Sequence, residues 1–322
     1  MKNSTPATGA VVVTGTSTGI GRAVALRLAA NGYQVFAGVR KESDGAELRN
    51  AARGSIEPLI LDVTNSDHIK AAAQRVLEAT DGRGAVGLVN NAGVGITSPT
   101  EIVPMATIRR SFEINFFGQL EMIQEFLPQL RQTRGRLINI GSIGNRVVMP
   151  FAGPLNASKW ALAAINHALR VELLPWGIHV VLIEPASIKT AAVDKLEQDG
   201  LDNITQFSDH ERFLYEDAYR SMLGNATMHV RRLGTSSEAV AKAVHRSMVS
   251  PRPKARYLVG KSARPLAAVV KYAPDRLYDK VRLKVFALPK SFGARAGEAQ
   301  PHLMPQGTNQ PKVATDGRRK AA

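Results

Sequence analysis

Cysteine is absent from all 322 residues of this sequence. Its absence excludes disulfide bonds, thiolate metal sites and cysteine nucleophiles, and it is typical of proteins from a reducing compartment. The seven histidines are scattered without the spacing of metal ligands, so we expect no metal site. Long apolar runs are also missing, and the first nine residues are polar. These features predict a cytoplasmic protein with no cleaved signal and no membrane-spanning segment.

Acidic residues are scarce toward the C-terminus. The net charge is +15, yet residues 252–322 contain 16 Lys or Arg against four Asp or Glu, which leaves only +3 for the first 251 residues. The basic character therefore belongs to the C-terminal segment, and because no recognition motif accompanies it, we do not expect nucleic acid as a partner. We predict a flexible N-terminus over residues 1–9 and a disordered tail over residues 291–322.

Residues 261–290 are predicted to form a basic amphipathic extension. Pro274 can open a helix in which the apolar residues share one face. That face would contain Tyr278, Val281, Val285 and Leu288, whereas the cations Arg276, Lys280, Arg282 and Lys284 face elsewhere. Such a helix could pack on its own domain, which we favour, or residues 263–288 could lie on an anionic membrane surface as a peripheral contact.

Short apolar runs alternate with longer amphipathic stretches through residues 10–260. Most of these runs lack polar alternation, which is typical of strands buried on both faces. The runs are Ala10–Thr14, Gln34–Val39, Glu57–Asp62, Ala85–Asn90, Arg136–Gly141, Ile178–Glu184 and Arg256–Gly260. The alternation predicts one α/β domain, a Rossmann-type doubly wound parallel sheet of about seven strands flanked by helices. Ligands of such sheets lie beyond the carboxyl ends of the strands.

A glycine-rich turn follows the first predicted strand and opens the first predicted helix. The segment Thr14–Gly21 reads TGTSTGIG, with glycines at positions 15, 19 and 21. A turn at this place brings backbone amides and a helix N-terminus against a pyrophosphate. It therefore predicts dinucleotide binding by the residues Gly15, Thr16, Ser17, Thr18, Gly19, Ile20 and Gly21.

Several further motifs occur in a fixed order after this turn. They are NNAG at Asn90–Gly93, EINFFG around Asn115, INIGS ending at Ser142, and NASKWAL around Lys159. Together with the three-residue spacing of the first two glycines, they resemble the short-chain dehydrogenase/reductase family over residues 10 to about 260. Within that family, four segments are similar to retinol, hydroxysteroid and 3-hydroxybutyrate dehydrogenases: QVFAGVRK, GLVNNAGV, FLPQLRQTRGRLINIGS and RYLVGKSA.

The resemblance implies roles for particular residues. Asn115 would maintain a proton-carrying water path, Ser142 would orient and polarise the substrate oxygen, and Lys159 would hold the nicotinamide ribose. The adenine would contact Asp62 and Val63. Further coenzyme contacts would come from Asn91, Ala92, Gly93, Pro185, Ile188 and Thr190, of which the last two would touch the carboxamide.

The choice of coenzyme depends on the end of the second predicted strand. A carboxylate there would bind a ribose 2′-hydroxyl, whereas an arginine suits a 2′-phosphate. Val39 takes the carboxylate's place and Arg40 follows it. We therefore predict NADP(H) in preference to NAD(H). The alternative is that Arg40 is only a solvated loop cation, and NAD(H) remains open in that case.

One residue departs from the family's pattern. Four residues before Lys159, where the family has a tyrosine that moves the proton, this chain has Leu155. Leucine can neither give nor accept a proton, so turnover is expected to fall by about 10²- to 10⁴-fold unless another group supplies it. Three alternatives remain: a slowed enzyme, an enzyme that uses Tyr215, Tyr219 or an ordered water, and a coenzyme-binding protein without turnover.

The family resemblance implies an NAD(P)(H)-dependent oxidoreductase that interconverts an alcohol and a carbonyl. By analogy, the substrate would be a lipophilic small molecule resembling a retinoid, a steroid or a fatty alcohol. Residues 186–232 match the family's variable substrate lid, although a helix docked on the core would explain their aromatic residues equally. A homo-oligomer, dimer or tetramer, would form through the helix that carries Lys159. The alternative function is a catalytically inactive nucleotide-binding regulator or scaffold at a membrane surface.

Overall fold

Nine strands and eleven α-helices occur within residues 8–288, which are the residues that this computed structural model describes. The strands are β1 (Ala10–Val13), β2 (Gln34–Val39), β3 (Ile56–Ile60), β4 (Ala85–Asn90), β5 (Arg136–Ile140), β6 (His179–Pro185), β7 (Ile188–Lys189), β8 (Thr235–Ser236) and β9 (Arg256–Val259). The predicted tail at 291–322 and most of the predicted flexible N-terminus lie outside the described residues.

The helices connect these strands and cover both faces of the sheet. They are α1 (Gly19–Ala30), α2 (Glu42–Asn50), α3 (Ser66–Ala79), α4 (Met105–Phe112), α5 (Gly118–Thr133), α6 (Gly153–Glu172), α7 (Ala191–Thr205), α8 (Asp209–Leu233), α9 (Ser237–Val249), α10 (Ala263–Tyr272) and α11 (Asp275–Val285). None of the helices within the described part of the chain is long and apolar enough to cross a membrane.

Seven strands form one parallel sheet in the order β3-β2-β1-β4-β5-β6-β9. The predicted doubly wound α/β fold is therefore confirmed. Each predicted strand overlaps one of these seven, and the borders differ by at most two residues. The order reverses between β1 and β4, which places the switch point, where such sheets bind ligands, beside the glycine-rich turn.

Apolar side chains of the central strands point to both faces of the sheet. On one face, Val11 and Val13 pack with side chains of α1 and α9. On the other face, Val12 packs with side chains of α3 and α5. Because successive side chains of a strand alternate between the two faces, a strand covered on both sides needs apolar residues throughout. Continuous burial of β1 follows directly from its AVVV sequence.

A two-stranded sheet of β7 and β8 was not predicted. It pairs the segment after β6 with the segment after α8, and each strand is only two residues long. Strands this short show no periodicity in the sequence. Ser187, directly before β7, has a positive φ of 50°. Ala186, the residue before it, is not among the described residues with positive φ, so an alanine is compatible with the turn.

The predicted apolar face of α11 is wrong in part. Val281 and Val285 are exposed, whereas Leu283, Phe286 and Leu288 pack with the cluster formed by α7 and α8. The helix ends at Val285, and Ala287 has a positive φ of 50°, so the chain turns before Leu288 and a helical projection no longer applies. The extension thus packs on α7 and α8 through one side, while its other side remains exposed.

Candidate active site

The glycine-rich turn adopts a conformation that its glycines make possible. Gly15 and Gly19 have positive φ values of 66° and 58°. A Cβ atom added at Gly21 would lie 2.1 Å from the Gly15 carbonyl oxygen and 2.4 Å from Nδ2 of Asn91. Non-bonded atoms do not approach this closely. A side chain at position 21 would therefore force the turn to shift relative to Asn91, which follows β4.

The N-terminus of α1 is open to an anion. Thr18 occupies the N-cap position but its side chain makes no capping hydrogen bond, and the first turn contains no acidic residue. The first amides of a helix have no partner within the helix, and the helix dipole makes this end positive. The turn therefore fits the pyrophosphate of a dinucleotide, as the sequence predicts.

The side chain of Thr16 makes a hydrogen bond within the protein. Its hydroxyl donates a hydrogen bond of 2.9 Å to the carbonyl oxygen of Gly38, and its backbone amide donates to the same oxygen. Both the side chain and the residue as a whole are buried. Thr16 thus attaches the turn to β2, while Ser17 and Ile20 are partly exposed and Thr18 is exposed on the outer side of the turn.

The NNAG segment after β4 holds the turn in place. Thr14 Oγ1 accepts hydrogen bonds of 2.9 Å from the amides of both Asn91 and Ala92. The Asn91 side chain donates to the carbonyl oxygens of Thr14 and Gly15. Asn90 is fully buried and donates to Oδ1 of Asn139 on β5. The segment therefore connects β1, β4 and β5 at the carboxyl edge of the sheet.

Arg40 and Asp62 lie near one another where β2 and β3 end. Burial raises the pKa of Asp62, but hydrogen bonds from Thr64 and the positive charges of Arg40 and His68 outweigh it, so the pKa lies below its ordinary value. Arg40 is exposed and forms no ion pair within residues 8–288. Its guanidinium is thus available to a phosphate. Val63, beside Asp62, is buried against Gly118 at the start of α5.

Asn115 lies in a π-helical segment, Glu113–Phe117, between α4 and α5. Its Oδ1 accepts a 2.8 Å hydrogen bond from the amide of Val94, and its Nδ2 donates to the Val94 carbonyl oxygen and to Ser158 Oγ. Single π-turns within helices are frequent at functional sites. This one was not predicted, because the sequence of the segment is compatible with an ordinary helix.

Ser142 begins a short 3₁₀ turn directly after β5. Its Oγ accepts a 2.9 Å hydrogen bond from the amide of Gly144, and its own amide donates to Oδ1 of Asn145. Asn145 in turn donates to the buried carboxylate of Glu184, which also receives the guanidinium of Arg146. The turn that positions Ser142 is therefore supported by a buried polar network.

Lys159 converges with Gly93 and Asn115. A Cβ atom added at Gly93 would lie 3.1 Å from Oδ1 of Asn115 and 3.5 Å from Nζ of Lys159. Nζ donates a 3.1 Å hydrogen bond to the carbonyl oxygen of Ile140. A small part of the lysine remains accessible, yet burial lowers the pKa of its ammonium from the ordinary 10.5 to about 8. No carboxylate of the described chain forms an ion pair with it.

Leu155 lies one turn before Lys159 on α6, so both side chains point to the same side of the helix. Leu155 is partly exposed, and its carbonyl oxygen accepts a 2.8 Å hydrogen bond from Ser158. The place next to the ammonium thus holds an apolar side chain. No tyrosine hydroxyl hydrogen-bonds Ser142 or Lys159 in the described part of the chain.

Tyr215 and Tyr219, both on α8, hydrogen-bond to residues other than Ser142 and Lys159. Tyr215 donates to the carboxylate of Glu101, and this hydrogen bond, with burial and the negative charge, raises the pKa of Tyr215 to about 12. Tyr219 is fully buried and donates a 2.7 Å hydrogen bond to the carbonyl oxygen of Thr97. Its ring stacks on Phe207 within the core of α7 and α8. Packing between α7 and α8 therefore accounts for Phe207 and Tyr219.

The residues after β6 approach the glycine-rich turn. Pro185 is buried at the end of β6, and Ile188 is buried in β7. Thr190 is the N-cap residue of α7, and a Cβ atom added at Gly19 would lie 3.4 Å from its Cγ2. The segment thus lies next to the glycine-rich turn at the switch point, where the sequence predicts the coenzyme.

Within residues 8–288, no group of acidic or histidine side chains could hold a metal ion. The structure brings Gly93, Asn115 and Lys159 together, and Ser142 begins the turn that packs against α6. Arg40 and Asp62 lie at the adjacent carboxyl ends of β2 and β3. The predicted site residues therefore line one edge of the sheet, although their roles stay predictions.

A family model described as "short chain dehydrogenase" matches residues 9–200. The chain is 33% identical to an NADPH-dependent 3-dehydrocapnine reductase of Ornithobacterium rhinotracheale, over 85% of this chain and 95% of that protein. It is also 33% identical to estradiol 17-beta-dehydrogenase 2 of Mus musculus, over 86% of this chain and 74% of that protein.

A solved structure has a similar fold. The crystal structure of a short-chain dehydrogenase from Streptomyces avermitilis matches with a TM-score of 0.68 and 25% sequence identity. The match covers 87% of this chain and 96% of that chain. The predicted resemblance, including its hydroxysteroid dehydrogenase branch, is thereby confirmed.

Proposed function

This chain belongs to the short-chain dehydrogenase family, and on that basis we propose that it is an NADP(H)-dependent oxidoreductase that interconverts an alcohol and a carbonyl on a lipophilic substrate. The observation that carries the proposal is the convergence of Gly93, Asn115 and Lys159 beside the open N-terminus of α1. A single-turnover assay of NADPH oxidation with hydrophobic ketones and aldehydes tests the activity.

The chain's residues fit a dinucleotide whose bound form supplies or accepts a hydride. The α1 amides fit the pyrophosphate, and Asp62, which follows β3, would contact the adenine. Lys159 would hold the nicotinamide ribose, because its ammonium lies at the carboxyl edge of the sheet next to Gly93. Pro185, Ile188 and Thr190 would contact the carboxamide. The relative named as NADPH-dependent supports the choice of NADP(H).

Within the site, Ser142 would orient and polarise the substrate oxygen. Its hydroxyl accepts from the Gly144 amide, so the hydroxyl hydrogen is free to point toward a substrate. Asn115 would maintain a water path, since its side chain joins the Val94 backbone to Ser158 on α6. Leu155 can move no proton, and this substitution is proposed to weaken the reaction rather than coenzyme binding.

The preference for NADP(H) predicts a selective effect of Arg40→Ala. Loss of a charge-assisted hydrogen bond to a 2′-phosphate is expected to weaken NADPH binding by roughly 10- to 100-fold and to leave NADH binding unchanged. Calorimetric titration with both coenzymes measures the two affinities. Arg49→Ala, which removes an exposed arginine from α2, is the matched control. An equal loss for both coenzymes would contradict a role at the 2′-phosphate.

A lipophilic substrate of the steroid or retinoid kind is supported by the apolar residues near the site. Leu155 adds an apolar surface next to Lys159. On the lid, Leu196 approaches the loop after NNAG, where a Cβ atom at Gly95 would lie 3.0 Å from its Cδ1. A relative named for the steroid estradiol supports the same class of substrate.

The second candidate is a coenzyme-binding regulator or scaffold without turnover. Leu155 favours it, because the general acid and base of the reaction is replaced by an apolar side chain. Coenzyme binding together with no reaction of any hydrophobic carbonyl would support this candidate.

A homo-oligomer formed through α6 is part of the proposal. Large apolar side chains are exposed along this helix and the residues that follow it, which is typical of interaction surfaces. They are Trp160, Val171, Leu174 and Trp176.

Peripheral contact with an anionic membrane through residues 263–288 is also proposed. Their outer side carries exposed apolar residues, namely Val269, Tyr272, Leu277, Val281 and Val285. Exposed cations lie among them at Lys271, Arg276, Lys280 and Lys284. Apolar side chains that enter the interface, with cations near lipid phosphates, are the features of a helix that lies on an anionic bilayer.

Flotation with vesicles tests this contact. Replacing both Leu277 and Val281 with aspartate is expected to lower the fraction bound to phosphatidylserine-containing vesicles by about tenfold, because two apolar side chains are lost from the interface. The matched control replaces Met228 and Leu233, which are exposed on α8, with aspartate. Equal binding of the two variants would show that residues 263–288 do not contact the membrane.

A further inference from the structure

An open cavity of about 650 Å³ lies along the outer edge of the sheet. One side of α9, the edge strand β9 and the start of α10 form its walls, and Arg146 enters from the turn after β5. In the strand order, three strands separate β9 from β1. The cavity is therefore distinct from the glycine-rich turn and from the proposed coenzyme site.

The cavity is lined by cations. Half of its fourteen lining residues are arginine or lysine, and none is acidic. The cations come from four different segments of the chain and are Arg146, Lys242, Arg246, Arg252, Lys254, Arg256 and Arg264. A concave surface lined by charges of one sign concentrates the electrostatic field and attracts small ions of the opposite sign.

Most of these cations have no partner of opposite charge. The buried carboxylate of Glu184 pairs with Arg146 at 2.8 Å and lies 3.6 Å from Arg256. Burial lowers the pKa of Arg256, and the charge of Glu184 opposes this effect. The remaining five cations form no ion pair with any residue between 8 and 288. They would repel one another unless an anion lies between them.

The floor of the cavity is apolar. Ala239 and Ala243 on α9 face Leu258 and Val259 on β9. An alternative explanation is that the charges merely keep the edge strand from pairing with another chain. A few lysines are enough for that purpose. Here the cations surround a concave apolar floor whose volume is typical of small-molecule sites. This arrangement suits a ligand with both phosphate groups and an apolar portion.

We propose that this cavity binds a multiply phosphorylated ligand with an apolar portion. A single phosphate carries about −1.5 to −2 charges, which is too few to neutralise five unpaired cations on three segments. Arginine guanidinium groups bind phosphate through paired hydrogen bonds, and five of the seven cations that line the cavity are arginines, at positions 146, 246, 252, 256 and 264. The ligand's source could be a free metabolite or a lipid headgroup, because both present the same phosphate chemistry.

Binding to the full-length protein saturated with NADPH tests the proposal, since the bound coenzyme excludes the probes from its own site. Inositol trisphosphate and inorganic triphosphate serve as soluble probes in calorimetry. Phosphatidylcholine vesicles with and without phosphatidylinositol bisphosphate serve as lipid probes in flotation. The variant is Lys242→Glu with Arg246→Glu, because both residues are exposed on α9 and neither forms an ion pair. The matched control is Arg53→Glu with Lys70→Glu, an equal charge change on exposed residues elsewhere.

We expect one inositol trisphosphate per chain in the wild type and in the control, and an affinity lower by roughly 10²-fold in the α9 variant. Vesicle binding that the α9 variant loses and that inositol trisphosphate competes away would identify a lipid headgroup as the source, and its absence would identify a free metabolite. Equal affinity of the two variants, or no binding of any probe to the wild type, would overturn the proposal.

Discussion

Substituting Leu155 with tyrosine is expected to raise the single-turnover rate of carbonyl reduction with NADPH by roughly 10²- to 10⁴-fold. The new phenol would lie one helical turn before Lys159, on the same side of α6. A cation next to a phenol favours the phenolate, and the lysine ammonium would therefore lower the phenol's pKa from about 10 toward neutrality. Because Leu155 is partly exposed, the larger side chain has room at this position.

The phenylalanine variant, Leu155→Phe, is the matched control, because its ring has the shape of tyrosine without the hydroxyl. It should react no faster than the wild type. If the wild type is inert and only the tyrosine variant reacts, the natural protein is a coenzyme binder. If the wild type reacts at the tyrosine variant's rate, another group already carries the proton. Equal acceleration by phenylalanine would show that ring packing, and not proton transfer, limits the reaction.

The fold and the coenzyme turn could be predicted because both depend on local sequence. A strand buried on two faces requires an apolar run such as Val11–Val13, and a helix N-terminus directly after it requires glycine where φ is positive. The side chain of Thr16 illustrates the limit. The sequence places it in the turn, but only the structure shows that its hydroxyl bonds to Gly38 on the neighbouring strand.

Features made by distant segments were not predictable. Asn115 lies in the π-turn, and its side chain bonds to Val94 and Ser158, which are distant from it in the sequence. The cationic cavity combines α9, β9, the start of α10 and Arg146, although the separate cations are visible in the sequence. The packed side of α11 was misjudged because Leu283, and not Val281 or Val285, packs on α7 and α8. Beyond the helix, the left-handed residue Ala287 turns the chain before Leu288. In each case, the local conformation depends on tertiary contacts, which the periodicity of the sequence does not reveal.

Replacing Lys159 with methionine is expected to slow turnover by at least about 10²-fold. The nicotinamide ribose would lose its hydrogen bond to the lysine, and the nicotinamide would no longer be aligned with the substrate for hydride transfer. The same change should make the coenzyme-free protein more stable at neutral pH. Burial lowers the pKa of the ammonium to about 8. The lysine therefore binds its proton less tightly in the folded chain than in the unfolded chain, and the buried charge destabilises the fold at neutral pH. From the ordinary value of 10.5, this difference corresponds to a destabilisation of at most about 3 kcal/mol.

The stability difference between Lys159→Met and the wild type should depend on pH in a defined direction. Below about pH 8 the lysine is protonated in both the folded and the unfolded chain, and the cost of the buried charge is fully present. Between pH 8 and 10.5 the unfolded chain binds more protons than the folded chain, so the wild type gains stability as the pH rises. Urea denaturation without coenzyme should therefore show that the methionine variant is more stable than the wild type, by a margin that shrinks over this pH interval.

The control is Lys70→Met, at an exposed lysine of α3, which should show neither the higher stability nor the pH dependence. A methionine variant less stable than the wild type at pH 7 would mean that the hydrogen bond to Ile140 outweighs the burial of the charge.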